Sequence, residues 1–138
     1  MKKNKSNKNY RSLNHSKFTL TYHIIFVCKY RKKLLIKYGN DIKQIMFDIS
    51  KRYDFIIKEM EVDKDHIHMM IESVPKLSPL MIIRILKQQS TINIWRIYKR
   101  ELKKCFWNEN TFWTDGYFVS TIGEISSKTL KKYIENQG

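Results

Sequence analysis

Apolar and polar positions alternate from Phe18 to Lys29. Phe18, Leu20, Tyr22, Ile24, Phe26 and Cys28 fall on one side of an extended chain, and Thr19, Thr21, His23, Ile25 and Val27 on the other. The second side starts polar and turns apolar, which predicts a central strand covered on at least one face. The period then changes. Ile42, Ile45, Met46 and Ile49 recur at helical spacing and predict a helix from Gly39 to Arg52. Tyr53 to Val62 reads as a second strand, Asp63-Lys64-Asp65 as a turn and His66 to Val74 as a third strand, so the last two form a hairpin. Pro75 and Pro79 bracket a break, and Ser78 is placed to cap a helix running from Leu80 to about Lys104. An aromatic-rich connection spans Trp107 to Gly116, and Tyr117 to Ile122 reads as a fourth strand. Gly123 ends it, and Ser126 or Ser127 caps a last helix that carries Tyr133 and Gln137. The predicted order is β-α-β-β-α-β plus a terminal helix. This is an α+β, ferredoxin-like split βαβ arrangement: a four-stranded antiparallel sheet with helices on one face.

The 138 residues suit one domain, read here as residues 18–138 behind a basic flexible arm at residues 1–17. Lys and Arg outnumber Asp and Glu by 27 to 13, giving a net charge of +14. A charge of that size on so short a chain predicts a polyanionic partner, with nucleic acid ahead of an anionic membrane surface. The charge is also uneven, because eleven Lys and Arg precede the first acidic residue, Asp41. No apolar run approaches the ~20 residues of a membrane span, and Met1 to Lys17 holds no apolar stretch of the kind a signal peptide needs. Cys28 and Cys105 are too few for a disulfide framework and read as reduced thiols of a cytoplasmic protein.

Two short patterns carry candidate chemistry. On an alternating third strand His66, His68, Met70 and Glu72 share one face, and Ile67, Met69 and Ile71 share the other. The Ile67 side is the core side, so the two imidazoles face the more open one, where a divalent ion can be reached. On the last helix Tyr133 and Gln137 lie four apart on one face. The first offers a nucleophile and the second an oxygen donor to complete a metal shell. Each has a plainer reading alone: ordinary sheet histidines, a tyrosine packed with Leu130 and Ile134, and a frayed penultimate residue. His23 could reach the site or be a satisfied sheet histidine, and Glu72 could support an imidazole or be a rim charge. Arg31, Lys32, Lys33, Arg84, Lys87, Lys131 and Lys132 are candidate DNA contacts, and equally a solvated basic surface. Trp107, Phe112 and Trp113 could stack on bases or fill the core.

In this order and spacing the chain resembles the single-tyrosine HUH transposases of small bacterial insertion sequences, which move as single-stranded DNA. The resemblance runs from about Lys17 to Gln137. It rests on His23 through Lys29-Tyr30-Arg31, Asp65-His66-Ile67-His68, the Leu86-Lys87 region, Phe112 through Gly123, and Lys132 through Gln137. It implies that His66, His68 and Gln137 hold one divalent ion, Mg²⁺ or Mn²⁺, and that Tyr133 attacks the scissile phosphate. The products would be a 5′-phosphotyrosine and a free 3′-OH. It further implies recognition of DNA hairpins at element ends and a homodimer whose tyrosine helix can serve the partner's histidines. Thr121 to Ile125 would then be the hinge, and the protein a nucleoid-associated one in a bacterial or archaeal cytoplasm. A two-imidazole set leans chemically toward Mn²⁺, because Mg²⁺ prefers all-oxygen shells. An RNA-recognition domain shares the element order but needs a Lys/Arg-Gly-Phe/Tyr-Gly/Ala-Phe stretch, which this chain lacks. A metal sensor would leave Tyr133 and the charge unused, and a two-histidine phosphoesterase would need a second H-x-Ser/Thr motif.

Overall fold

The computed structural model describes residues 20–121 and 127–137. The basic arm, Phe18 and Thr19, most of the expected hinge with Gly123, and Ser126 lie outside the described residues. The elements are β1 (Leu20–Val27), α1 (Leu35–Ser50), β2 (Phe55–Val62), β3 (His66–Ser73), α2 (Pro79–Cys105), β4 (Phe118–Thr121) and α3 (Ser127–Glu135), with a short 3-10 turn at Lys29–Arg31. The four strands form one antiparallel sheet in the order β2-β3-β1-β4. This is the expected split βαβ topology, with the first and third strands central.

The sheet has two unlike faces. Tyr22, Ile24 and Phe26 of β1 and Ile67, Met69 and Ile71 of β3 join Ile42, Met46 and Ile49 of α1 and Ile82, Leu86 and Ile94 of α2 in one apolar cluster. Fully burying each such side chain contributes about 1.5–3 kcal/mol. The opposite face carries His23, Ile25 and Val27, the cross-strand partners His66 and His68, and Phe118 and Ser120 of β4. Ile25 is 1% exposed and Val27 is fully buried, so this second face is also covered in part. Ile134 of α3 shares a cavity wall there with Ile25, and that helix supplies some of the cover.

The differences from the expected elements have local causes. α1 begins at Leu35, a turn before Gly39. The glycine is not a boundary: an added Cβ there would lie 3.2 Å from Val62 Cγ2, so its missing side chain lets the helix approach β2 closely. Ser78 does cap α2, accepting from the Met81 amide at 3.1 Å, with Pro79 at the first helical position. At Tyr98 that helix leaves helical geometry (φ −120°, ψ 37°), where the tyrosine packs on Tyr38 and donates to Asp41. Phe112 and Trp113 are core, while Trp107 is 87% exposed. Among the described residues no helix is long and apolar enough to cross a membrane. Both cysteines are free thiols.

Candidate functional site

The β2–β3 turn sets the first half of the site. The Asp63 amide donates to the His66 carbonyl at 2.9 Å, and the Asp63 side chain accepts from the Lys64 amide at 2.7 Å. The turn thereby fixes register, so His66 and His68 both face away from the main core. They line a cavity of about 200 Å³ with Ile25, Glu61, Val62, Asp63 and Ile134. Asp65 Oδ1 lies 3.0 Å from His66 Nδ1, and Asp65 Oδ2 accepts from Arg31 Nε at 3.2 Å. Burial by itself would raise the Asp65 carboxyl. The hydrogen bonds to His66 and Arg31, and their charges, outweigh it and hold the group below its ordinary range. A carboxylate on Nδ1 leaves Nε2 of His66 as the free lone pair, the arrangement that orients imidazoles on metals.

His68 is held differently. Its Nε2 lies 2.8 Å from His23 Nδ1, and the two rings stack with centroids 5.0 Å apart. Burial first, then the neighbouring His23, pull the His68 pKa below its ordinary value. The imidazole therefore stays neutral to lower pH, which is the state a metal needs. Among the described residues no group of three or more His, Cys, Asp and Glu side chains could hold a metal ion. Two imidazoles suit a borderline divalent ion with open positions, to be filled by an amide oxygen, water or phosphate. His66 Nε2 is free for this, whereas His68 Nε2 is engaged by His23 Nδ1 and has to leave it to act as a ligand.

The second half of the site rests on β4 and the turn before it. Tyr133 packs on Phe118, with ring centroids 5.3 Å apart. A Cβ placed on Gly116 would lie 3.3 Å from Gln137 Oε1 and 3.7 Å from the Tyr133 hydroxyl, so this bare backbone is the seat of both side chains. Thr114 Oγ1 donates to Gln137 Oε1 at 3.4 Å. Lys87 holds the seat from below. Its ammonium donates to the carbonyls of Thr114, Asp115 and Gly116 at 2.6, 3.0 and 3.1 Å, using all three of its protons. The Tyr133 hydroxyl is buried with no hydrogen-bond partner among the described residues. Burial, with a smaller contribution from Tyr117, pushes its pKa up to about 12.

α3 therefore straddles β1. Its Tyr133 side meets β4, and its Ile134 side meets the histidine cavity on β3. Phe118 and His68 both pair with Ile25, which places the two halves two strand spacings apart, about 10 Å at the backbone. Gln137 lies with Tyr133 at Gly116 and is not among the residues lining the histidine cavity. Glu72 is 9% exposed and sits four pairs further along β3 than His68.

Of the candidate DNA contacts, Arg31, Lys33 and Lys131 line a cleft of about 580 Å³ beside His66, together with Lys64 and with Asp63, Asp65 and Glu135. Lys132 is exposed on α3. Lys32 lies over the Phe106 ring. Arg84 and Lys87 line a separate groove at Trp113. Sequence reasoning did not single out Asp65, Thr114 or Gly116 as site residues. All three lie in stretches that carry the resemblance, Asp65 directly before His66 and Thr114 and Gly116 between Phe112 and Gly123, but residue type alone gave them no role.

The sequence model of the family described as "Transposase IS200 like" matches residues 16–137. The chain is 30% identical over 121 residues to the ISDra2 transposase TnpA of Deinococcus radiodurans, covering 87% of this chain and 85% of that protein. It is 32% identical over 130 residues to the transposase for insertion sequence element IS200 of Salmonella typhimurium, covering 92% of this chain and 82% of that one. A crystal structure of a candidate transposase from Deinococcus radiodurans superposes with a TM-score of 0.80 at 26% identity, over 99% of this chain and 98% of its own. A REP-associated tyrosine transposase bound to a REP hairpin gives a TM-score of 0.53 at 16% identity, over 86% of this chain and 64% of its own. That last likeness is one of fold.

Proposed function

The chain belongs to the IS200-like transposase family, and from that footing we propose that it cuts and rejoins single-stranded DNA through Tyr133. The observation that carries this reading is the placement of α3. One helix seats a phenol and, one residue later, walls the cavity of the two imidazoles.

The Tyr133 oxygen attacks the scissile phosphorus, and the bond from phosphorus to O3′ breaks. The phosphate stays on O5′ of the nucleotide on its 3′ side and becomes a 5′-phosphotyrosine, while the 5′-side strand leaves with O3′. The phenol gives up its proton, and the departing O3′ gains one. That 3′-OH can later attack a second phosphotyrosine and rejoin strands without a high-energy cofactor. A divalent ion on His66 and His68, Mn²⁺ or Mg²⁺, would polarise the phosphate and offset charge developing on it. Asp65 keeps His66 in the tautomer that presents Nε2. Gln137 offers an amide oxygen at the nucleophile's seat, away from the imidazoles, and would reach them by movement of α3 and the residues that follow it. In its seat the phenol stays protonated, since burial disfavours the phenolate. It becomes reactive only on leaving that seat for a cationic surrounding. Arg31, Lys33, Lys64 and Lys131 line the cleft beside His66 and give the DNA backbone a path. The DNA is a hairpin-bearing single strand at an element end, and the acting form is a homodimer in which α3 can serve the partner's imidazoles.

The test is direct. Labelled single-stranded element ends are incubated with the protein and Mn²⁺ or Mg²⁺, and a covalent adduct is mapped by mass spectrometry. The expected adduct is on Tyr133, needs the ion, and is absent from Tyr133→Phe. An adduct on another residue, or cleavage by Tyr133→Phe, overturns the assignment.

A further inference from the structure

We propose that Arg31 is a positioning residue that couples the metal affinity of the histidine pair to the seating of the tyrosine helix. The proposal rests on the metal-site reading of His66 given above and adds a regulation to it.

Arg31 sits on strained backbone. Tyr30 and Arg31 both have positive φ, 59° and 53°, although neither is glycine. Such conformations are costly and persist where the surroundings over-determine them. Here the surroundings do so. The Lys29 amide donates to the Phe112 carbonyl at 2.8 Å, the Arg31 amide donates to the Cys28 carbonyl at 2.8 Å, and the Tyr30 hydroxyl donates to Glu109 at 2.7 Å. The result is a guanidinium with two unlike partners. Its Nε donates to Asp65 Oδ2 at 3.2 Å, and its Nη1 donates to the Glu135 carbonyl at 3.3 Å.

Both partners matter to the site. Asp65 divides its two oxygens between Arg31 and His66, so the guanidinium fixes the carboxylate that fixes the ring. Glu135 is the last residue of α3. The carbonyls of Lys132, Tyr133 and Ile134 are taken by the amides of Asn136 and Gln137. The Glu135 carbonyl goes to Arg31 instead. A cation there also has the right sign for the negative end of a helix. A continuous chain of contacts therefore runs from the His66 ring through Asp65 and Arg31 to the end of the helix that carries Tyr133. When the helix leaves its seat, Arg31 loses one of its two anchors and Asp65 is held less firmly. Coupling is reciprocal, so an ion on the imidazoles strengthens helix seating by the factor by which seating strengthens ion binding.

The experiment uses the full chain without DNA and Mn²⁺ alone as probe. Calorimetry reads Mn²⁺ affinity. The rate of tryptic cleavage after Lys131 and Lys132, read by mass spectrometry, reports undocking of α3. Arg31→Gly removes the guanidinium and accepts the positive φ, so the fold is spared; Arg31→Lys keeps a charge but lacks the planar fork that spans two partners. In the unaltered protein Mn²⁺ is expected to bind and to slow the cleavage. In both variants Mn²⁺ binding is expected to weaken on the order of tenfold, and the effect of Mn²⁺ on cleavage to vanish. Unaltered Mn²⁺ affinity in Arg31→Gly, or cleavage there that Mn²⁺ still slows, overturns the coupling alone. Full restoration of both readouts by Arg31→Lys overturns the two-partner geometry in favour of charge alone. A wild-type chain that binds no Mn²⁺ overturns the metal-site reading itself, and the coupling with it.

Discussion

The Tyr133 hydroxyl is buried without a partner among the described residues, and two consequences follow in opposite directions. A buried hydroxyl with no hydrogen bond carries its desolvation cost uncompensated. Tyr133→Phe keeps the ring on Phe118 and removes that cost, so it is expected to stabilise the fold by about 1 kcal/mol in urea denaturation while abolishing strand cleavage. A variant that loses both stability and cleavage would show that the hydroxyl has a structural role instead. Lys87 shows how a residue type misleads. In sequence it reads as a candidate DNA contact, within the Leu86-Lys87 stretch that helps carry the resemblance. In the structure its ammonium is spent on three backbone carbonyls, and burial pulls its pKa below the ordinary lysine value against the opposing charge of Asp115. Lys87→Met keeps the aliphatic stem and leaves those carbonyls unpaired. It is expected to cost about 2 kcal/mol in urea denaturation, a loss a freely solvated lysine would not produce.

At the scale of the element, α3 is the part on which function turns. It is nine residues long, shorter than helices that hold alone in water, so its position is set by its seat. Gly116 is the floor of that seat. Gly116→Ala places a methyl group 3.3 Å from Gln137 Oε1, and the flexible amide must yield. Global stability is expected to stay within about 0.5 kcal/mol, while tryptic cleavage after Lys131 and Lys132 accelerates. Unchanged cleavage would mean that the helix is held elsewhere. Whether α3 serves its own imidazoles or those of a second copy is decided by mixing. His66→Ala and Tyr133→Phe chains, each inactive, are expected to regain cleavage together if the helix acts across a dimer.

For the whole molecule, pH acts on stability from both sides. Asp65 and His68 both have pKa values lowered in the folded state. The stability they contribute is present above their unfolded values, 6.5 for His68, and is lost as the pH falls through the folded ones. Cys28 and Tyr133 are shifted the other way, each to about 12, from ordinary values of 9.0 and 10.0. Burial is the first cause in both. Their contribution is present below the unfolded values and is lost as the pH rises toward the folded ones. The melting temperature is therefore expected to be flat between about pH 7 and 9 and to fall on either side, as a scanning-calorimetry series would show. A continued rise above pH 9 would contradict the burial of Cys28 and Tyr133. The charge of +14 adds an expectation of its own: affinity for single-stranded DNA should fall with salt, at about 0.7 log units per log unit for each phosphate neutralised.

Periodicity along the chain determined the elements, their order and the split βαβ sheet, because alternation and helical spacing report which face of each element meets the core. It also put His66 and His68 on the face opposite Ile67. It expected Tyr133 and Gln137 on one side of a helix, but α3 ends at Glu135 and Gln137 lies two residues past it, beside Tyr133 at Gly116. Spacing cannot say how elements meet. Only the tertiary structure set α3 across β1, put Gly116 under the phenol, turned Lys87 inward to hold Gly116, and aimed Arg31 at both Asp65 and Glu135. Each of these depends on contacts between residues 17 to 104 positions apart, and local sequence carries no record of such distances.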